Sequence, residues 1–316
     1  MKLKKLFALS LLALIVYSCN KKDDTPTFVP DRDRGEQAIT DDQEILDFLA
    51  THFYNYEEFE NPSENFDYVV RFDTIAGDNA NKIPVIDSGK LITKTVNFQG
   101  VDQLLYVLKV REGQGDKPAF TDSTFVAYRG QLLNETVFET NLQTPVWFEL
   151  SGYEARNPQN GNIGRIGGLI PGFSNGLTEF KAATGFEVNS DNTIKWNNDF
   201  GVGALILPSG LGYFSSARVN IPSYSPLIFL VNLYRVNEAD HDGDGIPSKL
   251  EDIDGDLDVF DDDTDGDGLS NHSDSDDDGD GTPTRDEIII NADGSVEFPD
   301  ADGNGIPDYL DPDTFQ

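Results

Sequence analysis

The chain has 316 residues, a single cysteine and a formal net charge of −34. That length leaves room for about two domains, and one cysteine excludes an internal disulfide. The acidity argues against nucleic acid or an anionic lipid surface as a partner, because both repel a negative protein.

Lys2, Lys4 and Lys5 precede the apolar run Leu6 to Val16. The run is too short to span a bilayer with comfort and suits a signal peptide over residues 1–18. It closes at Val16-Tyr17-Ser18-Cys19. A lone cysteine directly behind such a run resembles the bacterial lipobox, which implies that Cys19 is acylated and becomes the mature N-terminus. Two or more acyl chains on one residue anchor a protein stably, so the membrane becomes a partner through Cys19. Asn20-Lys21-Lys22-Asp23-Asp24 resembles the charged tether that sends some lipoproteins to the outer face of the outer membrane. The implied location is the cell envelope, anchored to the outer membrane and surface-exposed.

Residues 19–38 read as the lipidated N-terminus and a polar linker. Thr40-Asp41-Asp42-Gln43 reads as a helix start with a capping box, and Ile45, Phe48, Leu49 and Phe53 then share one face. From Phe66 to Phe98 the pattern turns to strands: Tyr68 to Phe72, Ile83 to Ile86 and Leu91 to Phe98. Residues 39–100 therefore form a small α+β module, or an extension packed on the domain that follows. That domain, 101–237, carries expected strands at Leu104 to Leu108, Ser123 to Tyr128, Gly203 to Leu207 and Leu227 to Val236. A short helix enters at Pro171, with Phe173, Leu177 and Phe180 at one-face spacing. Antiparallel strands around one short helix make the predicted fold class α+β. Gly152 to Gly168 and Ala183 to Gly201 lack hydrophobic periodicity and read as long surface loops, the first at the rim of the site.

Four segments of this domain, in order, resemble FKBP-type peptidyl-prolyl isomerases. They are Val126 to Leu132 with Val137-Phe138-Glu139-Thr140; Leu169-Ile170-Pro171-Gly172-Phe173; Leu207 to Tyr213; and Ile221-Pro222 with Leu227-Ile228-Phe229. The resemblance implies an FKBP-like antiparallel sheet wrapped on one helix. It implies pocket walls from Tyr128, Phe138, Phe148, Leu169, Ile170, Tyr213, Ile221 and Phe229, with Phe173 at the floor where the family usually has Trp. The Ile170 N–H and the Tyr213 hydroxyl would hold substrate carbonyls. Glu139 stands where the family usually has Asp, near the Tyr128 hydroxyl, and Val146 replaces a pocket aromatic. For Phe125 and Leu177, which have no pocket counterpart, a core role is expected. Such a site needs no cofactor, and the implied partners are proline-containing exported polypeptides. The alternative is a binding module of the same shape, displayed on a lipid-anchored stalk without useful turnover.

Residues 238–316 form an acidic tail, with 27 Asp and Glu between 240 and 316 against Lys249 and Arg285. A twelve-residue pattern recurs four times: Asp240, Asp242, Asp244 and Glu251; Asp263, Asp265, Asp267 and Asp274; Asp276, Asp278, Asp280 and Glu287; Asp300, Asp302, Asn304 and Asp311. Oxygen side chains at positions 1, 3, 5 and 12 around a glycine at 6 are what a calcium loop needs, the glycine permitting the sharp turn. Only Ser275 separates Asp274 from Asp276, so EF-hand helices have no room. The back-to-back spacing resembles thrombospondin type 3 repeats, which implies an irregular chain wound on calcium. His241 and His272 fall at positions 2 and 10 and read as solvated spacers.

Overall fold

The computed structural model describes residues 30–314, so Cys19 and the signal segment lie outside the described residues. Helix α1 spans Arg34–Thr51 and starts earlier than expected at Thr40. Its cap is Asp33, whose Oδ1 accepts the Glu36 N–H at 2.9 Å, and this capping outweighs the cost of roughly 1 kcal/mol of Gly35 in the first turn. Strand β1 (His52–Tyr54), the short α2 (Tyr56–Glu60) and β2 (Phe72–Thr74) follow, β1 and β2 pairing antiparallel.

Next come β3 (Leu91–Phe98), β4 (Val101–Arg111), β5 (Ser123–Leu132), β6 (Val137–Thr140) and β7 (Val146–Glu149). The hairpin of β8 (Tyr153–Arg156) and β9 (Ile163–Ile166) precedes α3 (Pro171–Leu177). A second hairpin, β10 (Phe186–Val188) with β11 (Ile194–Trp196), precedes β12 (Gly201–Leu207) and β13 (Leu227–Asn237). The two stretches read as surface loops are thus hairpins. Their mostly exposed strands carry too few inward side chains to show a period.

The main sheet is antiparallel, in the order β3-β4-β12-β13-β5-β6, with β7 also pairing β5. This corrects the boundary expected at residue 101: β3 is an edge strand of this sheet, paired with β4 from Leu91↔Leu108 to Phe98↔Val101. Strand pattern is local, but partner choice is not, and the two-residue turn at Gln99-Gly100, both at positive φ, commits β3 to β4.

Every residue of β12 is buried, because both faces of the sheet are covered. Leu205, Leu207, Phe229, Val231 and Tyr128 face α3 in one core. Tyr106, Leu108, Ala204, Ile206, Ile228 and Leu230 point the other way, onto Ile45, Phe48 and Leu49 of α1. The N-terminal segment is therefore an extension that covers the outer face, and each large apolar side chain it buries contributes roughly 1.5–3 kcal/mol. The architecture is mixed α/β with a mainly antiparallel sheet and few helices, compatible with an FKBP-like fold. Leu177 is core as expected. Phe125 is half-buried away from both cores, against Trp147 and Trp196 with ring centroids 5.2 and 5.9 Å apart.

The tail has a small core of its own, Ile246, Ile288 and Tyr309, with a one-turn helix α4 (Thr284–Glu287) and the hairpin β14 (Ile289–Ile290) and β15 (Val296–Glu297). It also packs on β7, β8 and β9. His241 Nε2 lies 3.2 Å from Glu149 Oε1, and its ring stacks on Tyr153. The Glu154 N–H donates to Ser273 Oγ at 2.9 Å, and the Ser270 N–H donates to Glu154 Oε2 at 3.2 Å. The two histidines are therefore packing residues, not solvated spacers. His272 is wholly buried, and burial, then the neighbouring His241, lowers its pKa to about 4.

Candidate active site and candidate cation loops

Alternation along β5 and β13 turns Tyr128 and Phe229 toward α3. Phe173, in the first turn of α3, meets them there: its ring centroid is 4.9 Å from Phe229, 5.5 Å from Phe148 and 6.0 Å from Tyr128. Phe138 adds an edge-on contact to Phe229 at 5.7 Å. It reaches the sheet over Gly130, where a Cβ would sit 2.2 Å from its ring. Ile221 is buried in the same cluster, with Leu169, Ile170, Tyr213 and Val146 packed against it partly exposed.

Several polar groups border these rings. Asn141 Nδ2 donates to the Tyr128 hydroxyl at 3.0 Å. Glu139, on the exposed strand β6, lies beside the same hydroxyl; burial first, then Glu139, raises the Tyr128 phenol above its ordinary value. Burial and then Glu139 also raise Tyr213, against the opposing Arg218, whose guanidinium lies 5.2 Å from the Tyr213 ring. The Ile170 carbonyl accepts from Phe173 and Ser174, while its N–H has no protein acceptor among the described residues. The structure thus gathers Tyr128, Phe138, Phe148, Leu169, Ile170, Phe173, Tyr213, Ile221 and Phe229 at one site, with Glu139 at its margin. The hairpin β8–β9 packs against the tail instead of standing free as a rim.

A sequence reading of the site misses its support from α1. Asp41 is wholly buried, and its Oδ2 accepts the N–H and hydroxyl of Ser209 at 2.7 and 2.6 Å. Arg34 lies 4.0 Å over the ring of Phe214. Both contacts hold the loop that carries Tyr213. The only signal in the sequence is an acid on the apolar side of a helix.

The four tail loops share one hydrogen-bond pattern. The N–H at position 9 donates to the carbonyl before position 1: Ser248 to Ala239 at 2.9 Å, Asn271 to Asp262 at 2.7 Å, Thr284 to Ser275 at 3.0 Å, Asp308 to Pro299 at 2.8 Å. The side chain at position 9 accepts the N–H at position 2 in each loop. In the first loop the N–H groups of Gly243, Asp244 and Ile246 donate to Asp240, Asp242 and Asp244 at 2.8, 3.2 and 2.7 Å. These bonds turn the carboxylates inward. Ligand-type oxygens of Asp240, Asp242 and Asp244 lie within 4.8 Å of one another, as do those of Asp263, Asp265 and Asp267, and of Asp276, Asp278 and Asp280. The fourth loop makes the same turn with an amide third, and Asn304 Nδ2 donates to Asp311 Oδ2 at 2.7 Å. Asp274 closes the second loop half-buried.

A fifth triad, Asp252, Asp254 and Asp256, has the same spacing. It escapes the sequence pattern because Leu257 holds position 6, at φ +73°. Buried oxygens without a hydrogen bond on Asp242, Asp244, Glu251, Asp278, Asp280 and Glu287 fit a hard divalent cation, which takes carboxylate and carbonyl oxygen. Without one, burial first and mutual repulsion second raise Asp242 to about 8, Glu251 to about 11 and Glu287 to about 8.

A family model described as BamM C-terminal matches residues 241–299, the tail alone. No curated protein matches the chain. Among solved structures the chain is similar to FkpA from Escherichia coli, at 25% identity over 42% of this chain and 48% of that one, TM-score 0.31. It is also similar to a peptidyl-prolyl cis-trans isomerase from Pseudomonas syringae pv. tomato, at 20% identity over 46% and 81%, TM-score 0.32. The N-terminal domain of FKBP42 from Arabidopsis thaliana is similar at 16% identity over 42% and 87%, TM-score 0.30. The chain spans about half the length of FkpA. At these TM-scores the functional reading stands on the site itself.

Proposed function

We propose that the chain is an FKBP-type peptidyl-prolyl cis-trans isomerase of the cell envelope, acting on Xaa-Pro bonds of exported proteins. The observation that carries it is the convergence of Tyr128, Phe138, Phe148, Phe173 and Phe229 beside the unpaired Ile170 N–H. Rotation about an Xaa-Pro bond meets a barrier of roughly 18–20 kcal/mol. The twisted transition state has lost amide resonance, so its carbonyl is less polar and tolerates a dry, aromatic site better than the planar ground state does. That preference is differential binding, and every 1.4 kcal/mol of it is about tenfold in rate. The Ile170 N–H and the Tyr213 hydroxyl hold flanking carbonyls while the ring turns. No nucleophile or proton transfer is required.

In the same reading, Cys19 carries lipid that anchors the chain to the outer membrane. The tail binds calcium through Asp240, Asp242, Asp244 and Glu251 and their counterparts. The ions neutralise carboxylates that otherwise repel, and so let the loops pack on β7–β9. A second reading, a binding module that grips proline-containing segments without turnover, draws on Phe173 in place of Trp and on the exposed Glu139. A protease-coupled assay on a short Xaa-Pro peptide separates them: accelerated conversion of the cis fraction supports the isomerase, and binding without acceleration supports the module.

A further inference from the structure

Asp277 stands at position 2 of the third loop, outside the ligand positions. The matching residues of the other loops are His241, Ile253, Thr264 and Ala301, none of them acidic. Yet ligand-type oxygens of Asp277, Asp242 and Glu251 lie within 4.8 Å of one another. Glu251 is 0% exposed with neither carboxylate oxygen hydrogen-bonded, and Asp277 is 2% exposed with Oδ1 unpartnered. Thr284 fixes Asp277 from behind: its hydroxyl donates to Asp277 Oδ2 at 3.0 Å and accepts the Asp277 N–H at 3.1 Å. Oδ1 is thereby left to the cluster. No ion pair among the described residues involves any of the three.

We propose that Asp242, Glu251 and Asp277 together hold a divalent cation, calcium by ligand type, that clamps the first loop to the third. The proposal rests on the cation reading of the loops and adds to it a ligand that the twelve-residue scheme does not contain. Three carboxylates that each keep a buried, unpartnered oxygen, with Glu251 and Asp277 buried and Asp242 half-buried, are stable together only when a cation or protons neutralise them. Because Asp242 also belongs to the triad of the first loop, filling this site links the two loops. Calcium then enters them cooperatively, and the fold of the tail closes across residues that are distant in sequence.

The test uses the full chain, stripped with chelator, titrated with calcium in a calorimeter and melted with and without calcium. Asp277→Asn keeps the shape of the side chain and its contact with Thr284 and removes the charge. Its expected effect is at least a tenfold loss of affinity in the cooperative step, while the exposed Asp286→Asn leaves the titration unchanged. In chelator Asp277→Asn melts no lower than the unmodified chain, since it removes repulsion; with calcium it gains less. Lower melting in both conditions would mark Asp277 as a packing residue and overturn the proposal. Unchanged stoichiometry and affinity would overturn the cross-loop site and leave the loops standing, whereas an unmodified chain that takes up no calcium would overturn both.

Discussion

Ser209 donates both its backbone N–H and its hydroxyl to Asp41 Oδ2, at 2.7 and 2.6 Å, across 168 residues of sequence. Both residues are wholly buried, and the loop they fix carries Tyr213. Asp41→Ala strands three buried donors, the two of Ser209 and Gln37 Nε2, which donates to Asp41 Oδ1 at 2.6 Å, at about 1–3 kcal/mol each, so it should lower stability in denaturant titrations and reduce turnover together. Asp41→Asn, which keeps an acceptor, should recover part of both. Turnover at the level of the unmodified chain in Asp41→Ala would show that the clamp does not position Tyr213.

Substitutions within the aromatic cluster should give a graded series. Phe229→Ala removes a ring that touches Phe173, Phe138 and Tyr128. It should cost about 3–5 kcal/mol of stability and nearly all activity. Tyr213→Phe removes only a hydroxyl, and should lower kcat/KM several-fold with little change in the unfolding midpoint. Equal loss of stability in the two variants would contradict the assignment of Tyr213 to substrate.

Much of this site is legible in the sequence, because period-2 alternation on β5 and β13 and the Pro-led start of α3 are local signals. What escapes is non-local. Leu91 to Phe98 reads as a strand, but nothing within it names β4 as its partner. The outer face of the sheet looks like ordinary core until α1 is seen to cover it. For that reason an isolated 101–237 segment, which lacks β3 and bares Ile206, Ile228 and Leu230, should be insoluble, whereas 33–237 keeps both faces covered. The tail shows the same division. Gly at position 6 marks four loops by itself, while the fifth hides behind Leu257, and Asp277 acquires a role only when two loops meet.

Leu257 sits at φ +73° and is 61% exposed. The left-handed region costs a non-glycine residue about 1–2 kcal/mol, partly offset in glycine by its larger loss of freedom on folding. Leu257→Gly should therefore raise stability by about 0.5–1 kcal/mol in calcium, read from denaturant titration. A loss of that size would mean that the leucine side chain packs usefully.

Chelation should reverse the pH response of the tail. In the calcium-free fold, burial and mutual repulsion raise Asp242 to about 8 and Asp277 to about 9, far above unfolded carboxylates. Between about pH 4 and 8 the folded tail then holds more protons than the unfolded one, so its stability falls as pH rises. With calcium, ligation requires deprotonated carboxylates, and stability should rise with pH instead. Thermal melts of the full chain at pH 5 and 7.5, each with calcium and with chelator, read both signs. Parallel trends in the two conditions would contradict the cation reading.

Exchange spectroscopy by NMR reads turnover directly, at equilibrium. A proline-containing peptide with resolved cis and trans signals interconverts unaided over tens of seconds or longer. Substoichiometric full-length chain in calcium should produce cis–trans exchange peaks within a second, and Phe229→Ala should remove them. A folded, unmodified chain that shifts the peptide signals yet leaves exchange at the uncatalysed rate would contradict the isomerase and leave a binding module.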